Sequence, residues 1–398
     1  MKILVINAGS SSLKFKLYKM LDESVICAGL LQNIGKDTSA IGFKYLDEVY
    51  EKRVEIKDHE HAFKLLFDLL FEKGVLLELS ELYGVGHRVV HGGDRFVKAQ
   101  KVDEALLQAL KNFIPLAPLH NPSNIQGMQA VKQQAASLRQ VAVFDTAFHH
   151  TLPQYAARYA LPTELYEKDK IRRYGFHGTS HEYVLKEMSR HLNKSVSETT
   201  IISLHLGNGA SACAIKAGES VDTSMGMTPL EGLVMGSRSG DIDPSIIFYL
   251  HQQKGHSLEQ IEIMLNQESG LFGICKENDM RLILAQAKEG NAYALALDIY
   301  VYRIKKYIGA YLAILGKVDG IVFTGGIGEN SSEIREMILQ GLEGLGIQMD
   351  REKNKNTKKE EVFFHLEGAQ IKLAAIATNE ELAIALATKA VLEEEIDG

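Results

Sequence analysis

The sequence of 398 residues is poor in the residue types that build disulfide-stapled or disordered proteins. It contains 3 Cys, 7 Pro and no Trp. Because Cys27, Cys213 and Cys275 lie far apart and form no CxxC pair, we predict neither a disulfide framework nor a structural zinc site. The low proline content and a hydrophobic fraction of 45% argue against long disordered segments. The composition is therefore that of an ordinary globular protein, and the chain is long enough for two or three domains.

Long apolar segments and basic clusters are also missing. No segment approaches the roughly 18 apolar residues of a membrane helix, and the apolar segment after Met1 is far shorter than the core of a signal peptide. The Lys and Arg residues are scattered through a chain of net charge -7, so no basic surface is predicted for nucleic acid or an anionic membrane. We therefore predict a cytoplasmic protein that binds neither nucleic acid nor a membrane.

Several short β-branched segments end in glycine-rich or polar turns, which is typical of buried strands. These segments are 3–6, 141–145, 201–206, 320–324 and 372–377. Helical patterns separate them, for example 62–71, where leucines form one stripe and Gly74 suits the position after the C-cap. Alternating strands and helices predict an α/β protein.

Two segments have the pattern of a hairpin with a small-residue tip. The first has strands 1–6 and 13–18 around the tip 7–12, and the second has strands 201–206 and 212–215 around the tip 207–211. This repetition predicts two related halves that face each other across a cleft. We expect a first domain over 1–149, completed by a C-terminal helix over 380–398, and a second domain over 150–379. The mixed charges of 350–361 indicate a solvated loop.

The two tips could also bind phosphate. Gly and Ser expose backbone N–H groups and hydroxyls at little steric cost, although most Gly/Ser turns are only turns. Lys14 follows the first tip. No Walker A motif is present, because the candidate that ends in Lys36 is one residue too long and lacks the following Ser or Thr. The third glycine-rich segment, 324–330, lacks the third Gly of a dinucleotide fingerprint, so we disfavour dinucleotide binding.

Four charged or titratable residues lie among small residues and are candidates for chemistry. Arg88 lies in an apolar segment that ends in two glycines, and Arg238 lies in a Gly/Ser loop, although an isolated Arg is by default a surface ion-pair residue. Asp145 ends a strand, where it could equally cap a helix. Glycines bracket the segment of His177. The pairs His149/His150 and His59/His61 lack a third ligand at metal spacing, so we assign them no metal.

Taken together, these motifs resemble the acetate kinase family, which belongs to the superfamily of actin, sugar kinases and chaperone ATPases. The resemblance covers essentially the whole chain and rests on nine segments in one order. The segments are 7–15, 86–93, 118–122, 144–149, 175–181, 205–209, 238–244, 326–330 and 378–381. The resemblance implies a duplicated actin-like ATPase (ribonuclease H-like) fold with two domains around a central cleft.

The resemblance also implies an activity, which is reversible transfer of the γ-phosphoryl of ATP to acetate, giving acetyl phosphate and ADP. It implies Mg²⁺, with Mn²⁺ as a possible substitute, held by Asn7 and Glu380. It assigns catalysis to Arg88, Asp145 and His177, together with Arg238. A homodimer is a further implication.

Binding residues follow from the same resemblance. It implies that the nucleotide contacts Ser12, Lys14, His205, Leu206, Gly207, Asn208, Gly209, Asp279, Met280, Arg281, Gly326, Ile327, Gly328, Glu329 and Asn330. It implies that the acceptor contacts Arg88, Val90, Leu119, His120, Phe176 and Pro229. Two departures from the family pattern are Asp94, where Glu is usual, and the bulky segment 272–279 before Asp279.

Three questions remain open from the sequence. A propionate or butyrate kinase is an alternative, because one methylene in an apolar pocket is worth only about 1–3 kcal/mol. A non-enzymatic actin-like ATP switch would explain the glycine loops but not an acceptor site. Acetate is already an anion at pH 7 and has no proton to lose, so we expect Asp145 to order the Mg²⁺ shell or Arg88 rather than act as a base.

Overall fold

The structure is a computed structural model that describes residues 1–118, 120–357 and 362–397, with side chains up to Glu394. Leu119 and residues 358–361 therefore lie outside the described residues. The strands are β1 Lys2–Ala8, β2 Ser12–Lys19, β3 Ser24–Gln32, β4 Ala40–Tyr45, β5 Glu48–Arg53, β6 Leu82–Val89, β7 Gln100–Lys101, β8 Gln140–Phe144, β9 Ile201–Leu206, β10 Ala210–Lys216, β11 Glu219–Thr223, β12 Gly320–Thr324 and β13 Lys372–Ala375.

Fifteen α-helices are found among the described residues. They are α1 His59–Glu72, α2 Glu104–Lys111, α3 Asn121–Gln134, α4 Gln154–Ala157, α5 Thr163–Glu167, α6 Gly178–His191, α7 Ser245–Lys254, α8 Leu258–Gln267, α9 Gly270–Cys275, α10 Met280–Gln286, α11 Ala292–Leu315, α12 Gly325–Asn330, α13 Ser332–Leu339, α14 Arg351–Lys355 and α15 Glu380–Asp397. In the described part of the chain, none of these helices combines the length and the apolar character that crossing a bilayer requires.

The chain forms two units. The first consists of Met1–Phe148 and the segment from Asn379 to the end, and the second of His149–Thr378. The sheet of the first unit has the order β5-β4-β3-β2-β1-β6-β8-β7. The sheet of the second has the order β11-β10-β9-β12-β13.

The two sheets share a five-stranded pattern, in which β3 of the first and β11 of the second pair antiparallel with their neighbours β2 and β10. In the first unit β1 pairs antiparallel with β2 and parallel with β6, which pairs parallel with β8. In the second unit β9 pairs antiparallel with β10 and parallel with β12, which pairs parallel with β13. The expected α/β class is confirmed, and the repeated strand order agrees with the predicted duplication.

Both predicted hairpins are present, with tips shorter than expected. Strand β1 runs to Ala8 and β2 begins at Ser12, so the first tip is only Gly9–Ser11. Ala210 pairs with Leu206, so Ala210 and Ser211 belong to β10 and not to the second tip. The backbone bonds of an antiparallel ladder continue as close to the turn as the geometry permits, which small residues allow.

The hydrophobic pattern of the first unit also places α1 correctly. Phe63, Leu66 and Leu70 are fully buried against the sheet, and the helix ends at a C-cap on Lys73. Gly74 follows with φ of +65°, the left-handed conformation that a residue after the C-cap adopts most easily when it is glycine.

Two segments for which no helix was predicted contain helices. Residues 325–330 form α12, in which Glu329 Oε1 accepts from the N–H of Gly325 at 2.9 Å. In the charged segment 350–361, the Asp350 side chain caps α14 by accepting from the N–H groups of Glu352 and Lys353. The prediction of a solvated loop was therefore wrong for α14, because side-chain capping stabilises a short helix there. The last residues of the charged segment, 358–361, lie outside the described residues.

The C-terminal helix α15 packs on β1, β6 and β8 of the first unit. Two glycines of β6 allow this close approach. A Cβ on Gly86 would lie 2.3 Å from Thr388 Oγ1 and 2.8 Å from Ile384 Cγ2, and a Cβ on Gly84 would lie 2.4 Å from Leu392 Cδ1. The closeness of this packing fixes where the first residues of α15 lie.

We expect Gly86→Ala to lower the free energy of unfolding by about 1–3 kcal/mol, the usual cost of overpacking a tight contact. Urea denaturation of the variant measures the change. Gly42→Ala is the matched control in the same sheet, because the nearest atom to its Cβ would be Leu30 O at 3.9 Å. Equal stability of the two variants would contradict this account of how α15 packs.

Candidate functional site

In the first unit, three candidate residues meet at one edge of the sheet. The strands β1, β6 and β8 are parallel to one another, so their carboxyl ends share an edge. Asn7 lies near the end of β1, Arg88 near the end of β6, and Asp145 directly after β8. Polar side chains at such an edge typically face a ligand.

Arg88 and Asp145 form a bidentate ion pair. Arg88 Nε lies 3.0 Å from Asp145 Oδ1, and Arg88 Nη2 lies 2.6 Å from Asp145 Oδ2. The Asp145 side chain is only 3% exposed and that of Arg88 is 21% exposed. Because both carboxylate oxygens accept from the guanidinium, the carboxylate holds the arginine in one orientation.

Opposing influences act on the protonation of this pair. Burial raises the pKa of Asp145 and the nearby charge of Glu380 adds to the rise, whereas the charge and hydrogen bonds of Arg88 oppose it. Burial alone would lower the pKa of Arg88, but the carboxylates of Asp145, Glu380 and Glu381 raise it. The guanidinium therefore stays charged, and it faces more negative than positive neighbours.

The start of α15 brings acidic side chains to the same edge. Glu381 accepts from Lys14 at 2.5 Å and from Lys16 at 3.1 Å. Burial raises the pKa of Glu381, but the hydrogen bond and charge of Lys14 and the charge of Lys16 hold it below its usual value. Lys16 and Glu381 were not predicted. The alternation of β2 places Lys14 and Lys16 on one face, but nothing local indicates a partner 365 residues away.

Asn7 and Glu380 are the residues that could hold a metal. The charge of Glu380 raises the pKa of both Arg88 and Asp145, so Glu380 lies near them, at the edge of the sheet where Asn7 lies close to the end of β1. Among the described residues there is no cluster of three His, Cys, Asp or Glu side chains suited to a metal ion. Two oxygen donors nevertheless fit Mg²⁺, which commonly takes one or two protein ligands and completes its shell with water and substrate phosphates.

Side chains of α3 hold the loop that follows β6. Asn124 Oδ1 accepts from the N–H of Val90 at 3.1 Å, and its amide donates to Ala8 O at 2.8 Å. Asn121 Oδ1 accepts from the N–H of His91 at 3.2 Å. His120 occupies the N-cap position of α3, and the predicted acceptor residue Leu119 lies outside the described residues. The two asparagines were missed because their partners are backbone groups.

In the second unit, His177 is held by serine and a second histidine. It precedes α6 with a left-handed φ of 55°, and its Nδ1 lies 2.9 Å from Ser211 Oγ. Its ring stacks on that of His205 at a centroid distance of 4.2 Å. Because the backbone, the ring face and Nδ1 are all engaged, the orientation of the imidazole is well defined.

The serine bonded to His177 belongs to a longer chain of hydrogen bonds. Ser211 Oγ also lies 2.8 Å from His181 Nε2, and His181 Nδ1 lies 2.8 Å from Ser203 Oγ. Burial holds the pKa of His181 well below its usual value, so this ring is neutral. Sequence reasoning missed these residues, because Ser203 and Ser211 come from neighbouring strands and look like ordinary strand positions.

His149 lies beneath the candidate acceptor residue Phe176. Its Nε2 donates to Phe176 O at 3.0 Å, so its Nδ1 accepts from the Ser220 hydroxyl at 2.8 Å. Burial lowers the pKa of His149 to about 4. Phe176 is itself only 2% exposed, which makes it part of the packed wall of the unit.

Arg238 has a different environment from Arg88. Its Nη1 lies 3.4 Å from Pro229 O and 3.8 Å from Met235 Sδ. Within the ranges that the structure describes, no carboxylate pairs with it, and burial lowers its pKa. A largely buried guanidinium without a counter-ion strongly favours binding an anion.

Gly209 brings Arg238 and His177 together. A Cβ built on Gly209 would lie 3.5 Å from His177 Cε1 and Nε2 and 3.8 Å from Arg238 Nη1. Gly209 lies in the predicted phosphate loop, 207–211, where its carbonyl accepts from the N–H of Gly207 at 3.0 Å. The loop, the imidazole and the guanidinium thus surround one small space.

The other predicted nucleotide residues differ in how exposed they are and in which partners they contact. Glu329 Oε1 accepts from the N–H groups of Gly325 and Thr378, so this carboxylate fixes backbone segments that follow β12 and β13. Asp279 caps α10 and pairs at 2.5 Å with Arg281, whose side chain is 90% exposed. Met280 is buried, as is the side chain of Leu206, which leaves only the backbone of Leu206 for a ligand.

Comparisons with known proteins agree over nearly the whole chain. The Acetokinase family model matches residues 2–386. An acetate kinase of Sulfurovum sp. is 50% identical over 394 residues, which cover 98% of this chain and 99% of the relative. An acetate kinase of Thermotoga maritima is 48% identical over 399 residues, with 99% of each chain covered.

Solved structures of similar proteins point to the same family. A propionate kinase from Francisella tularensis superposes with a TM-score of 0.93 at 43% identity, covering 98% of this chain and 99% of that one. A Porphyromonas gingivalis acetate kinase gives a TM-score of 0.93 at 39% identity with the same coverage. The arginines, histidines and glycine loops described above therefore lie in a member of the acetokinase family.

Proposed function

We propose that this protein is an acetate kinase that reversibly transfers the γ-phosphoryl group of ATP to acetate, giving acetyl phosphate and ADP. The observation that carries the proposal is the buried guanidinium of Arg238. It has no carboxylate partner in the described chain and shares Gly209 with His177 and the phosphate loop. We place the reaction in the cytoplasm, where ATP is supplied.

Phosphoryl transfer to acetate is mainly a problem of charge. Both reactants are anions, and the transferring phosphoryl group spreads negative charge over its oxygens. Guanidinium groups and a metal ion neutralise that charge and position the reactants, and one such arginine contributes roughly 10³–10⁵ in rate. In this proposal Arg88 and Arg238 supply the cations, and Asp145 and His177 complete the catalytic set.

Asp145 acts as a positioning group for Arg88 in this scheme. Acetate has no proton to lose at neutral pH, so a general base has nothing to do in the forward reaction. The carboxylate is almost fully buried and both of its oxygens are used by Arg88. It therefore fixes the plane of the guanidinium, which determines where a bidentate oxyanion can bind.

His177 donates a hydrogen bond to the transferring phosphoryl group. Its Nδ1 is bonded to Ser211, and the Cε1–Nε2 edge lies toward Gly209. A single hydrogen bond aimed at developing charge costs no reorganisation during the reaction, because the imidazole is already oriented.

The metal and nucleotide assignments follow from the resemblance to the family. Asn7 and Glu380 hold Mg²⁺, or Mn²⁺ in its place, which when bound offsets charge on the ATP phosphates. The nucleotide binds to 205–209, 279–281 and 326–330, with Ser12 and Lys14 near its phosphates.

The residues that we propose contact the acceptor are Arg88, Val90, Leu119, His120, Phe176 and Pro229, of which Leu119 lies outside the described residues. Propionate is a second candidate acceptor, because a propionate kinase superposes with a TM-score of 0.93. An extra methylene changes binding in an apolar pocket by only about 1–3 kcal/mol.

We also propose that the protein is a homodimer. Helix α7 is rich in apolar side chains, yet it has no buried residue. Phe248 is 62% exposed and Tyr249 is 54% exposed, with Ile246 beside them at 42%. Several large exposed apolar side chains on one helix are typical of an interface, and a second copy presents the same side chains.

A hydroxamate assay tests the activity. With ATP and Mg²⁺, acetate and hydroxylamine should give acetohydroxamate, and replacing acetate by propionate ranks the two acceptors.

In the same assay, Arg88→Ala and Arg238→Ala should each lower turnover by at least about 10³. The exposed Arg53→Ala and Arg351→Ala serve as matched controls. If no short carboxylate reacts while ATP is hydrolysed, an ATP-driven switch is the better description, and losses below tenfold for both arginines would remove them from the mechanism.

The dimer is tested by sedimentation. The wild type should sediment at twice the chain mass of 44.1 kDa, and Phe248→Asp should shift it toward the monomer because a charge would be buried in the interface. Leu21→Asp, at a site 85% exposed, is the control. A wild type that stays monomeric at micromolar concentration would contradict the dimer.

A further inference from the structure

The loop that carries Arg238 is closed at its base by one aspartate. The N–H of Asp241 donates to Gly232 O at 2.9 Å, and the N–H of Gly232 donates back to Asp241 Oδ1 at 2.8 Å. Gly232 has a φ of +109°, and a Cβ there would lie 2.6 Å from Ser224 O, so the closure requires glycine. We call residues 232–241 the arginine loop.

Helix α11 holds the other side of Asp241. The Tyr307 hydroxyl donates to Asp241 Oδ2 at 2.8 Å, and Arg303 Nη1 donates to Asp241 O at 3.1 Å. Residues four apart lie on one face of a helix, so both groups reach the same point. Burial and the negative charge of Asp241 raise the pKa of Tyr307, which keeps its hydroxyl protonated as a donor.

Inside the loop, packing transmits this position to Arg238. Leu233 and Met235 are completely buried, and the N–H of Met235 donates to Arg238 O at 3.2 Å. Gly270 fits closely against the same backbone, since a Cβ on it would lie 2.2 Å from Met235 O and 2.7 Å from Arg238 O. A shift at the base of the loop would therefore move the guanidinium.

We propose that Tyr307 and Asp241 are positioning residues of the reaction, which act by holding the arginine loop so that Arg238 meets the transferring phosphoryl group. The inference rests on the proposed function, because it gives Arg238 its task. Neither residue needs to touch a substrate. A displacement of about 1 Å can cost roughly 10² in rate when a charged group must meet a reacting atom.

Tyr307→Phe removes the hydroxyl and keeps the ring, which packs edge-on against Tyr311 at 5.7 Å. We expect backbone amides of 232–241 to exchange with deuterium about threefold to tenfold faster, the range implied by one lost hydrogen bond. Exchange at the wild-type rate would overturn the proposal, whatever the activity of the protein. This readout is independent of the acetate kinase assignment, which fails separately if the wild type forms no hydroxamate.

Kinetics then separate positioning from a general defect. We expect Tyr307→Phe to lower kcat by about tenfold to a hundredfold, with KM for ATP and acetate nearly unchanged. In the Arg238→Ala background the same substitution should change kcat by less than about twofold, because coupled residues are not additive. Tyr302→Phe, on the same helix and 61% exposed, is the matched control. An equal loss in both backgrounds, or a loss as large in Tyr302→Phe, would overturn the role of Tyr307.

Discussion

The bidentate ion pair between Arg88 and Asp145 is the constraint on which the site of the first unit depends. A buried aspartate costs free energy unless it is paired, and a guanidinium offers the planar pair of donors that compensates for it. Asp145 comes from the end of β8 and Arg88 from β6, so the pair joins two neighbouring strands at their carboxyl ends. Close packing of α15 on Gly84 and Gly86 brings Glu380 to the same edge, where its charge reaches both partners.

In the second unit the arginine of the site has no carboxylate partner among the described residues. Arg238 is largely buried without a carboxylate among the described residues, so its charge is available for an anion. Its position is held by backbone closure at Gly232 and by hydrogen bonds from α11. Ser211, which is also bonded to the neutral ring of His181, holds His177 beside it without adding charge. One arginine is thus oriented by a carboxylate that pairs with its guanidinium, and the other by the packing and hydrogen bonds of the loop that carries it.

Local sequence patterns predicted the parts of this architecture that depend on neighbouring residues. Alternation in 13–18 and the small residues of the two tips predicted the hairpins, and the polar residues that end β6 and β8 indicated Arg88 and Asp145. Contacts between distant segments could not be predicted in this way. Glu381 with Lys16, the serine partners of His177 and His181, and Tyr307 with Asp241 are all far apart in the chain. The helix at 325–330 was missed because Glu329 stabilises a glycine-rich segment through backbone N–H groups.

The activity of an Asp145 variant shows whether the reaction depends on charge positioning or on base catalysis. Asp145→Asn keeps the shape of the side chain and removes its charge. The decisive measurement is turnover of this variant as a function of pH and of Mg²⁺ concentration, beside the wild type. We expect lower turnover at every pH, an unchanged number of pH limbs and a shifted Mg²⁺ dependence. Loss of a pH limb with an unchanged Mg²⁺ dependence would show that Asp145 is a base and would contradict the account.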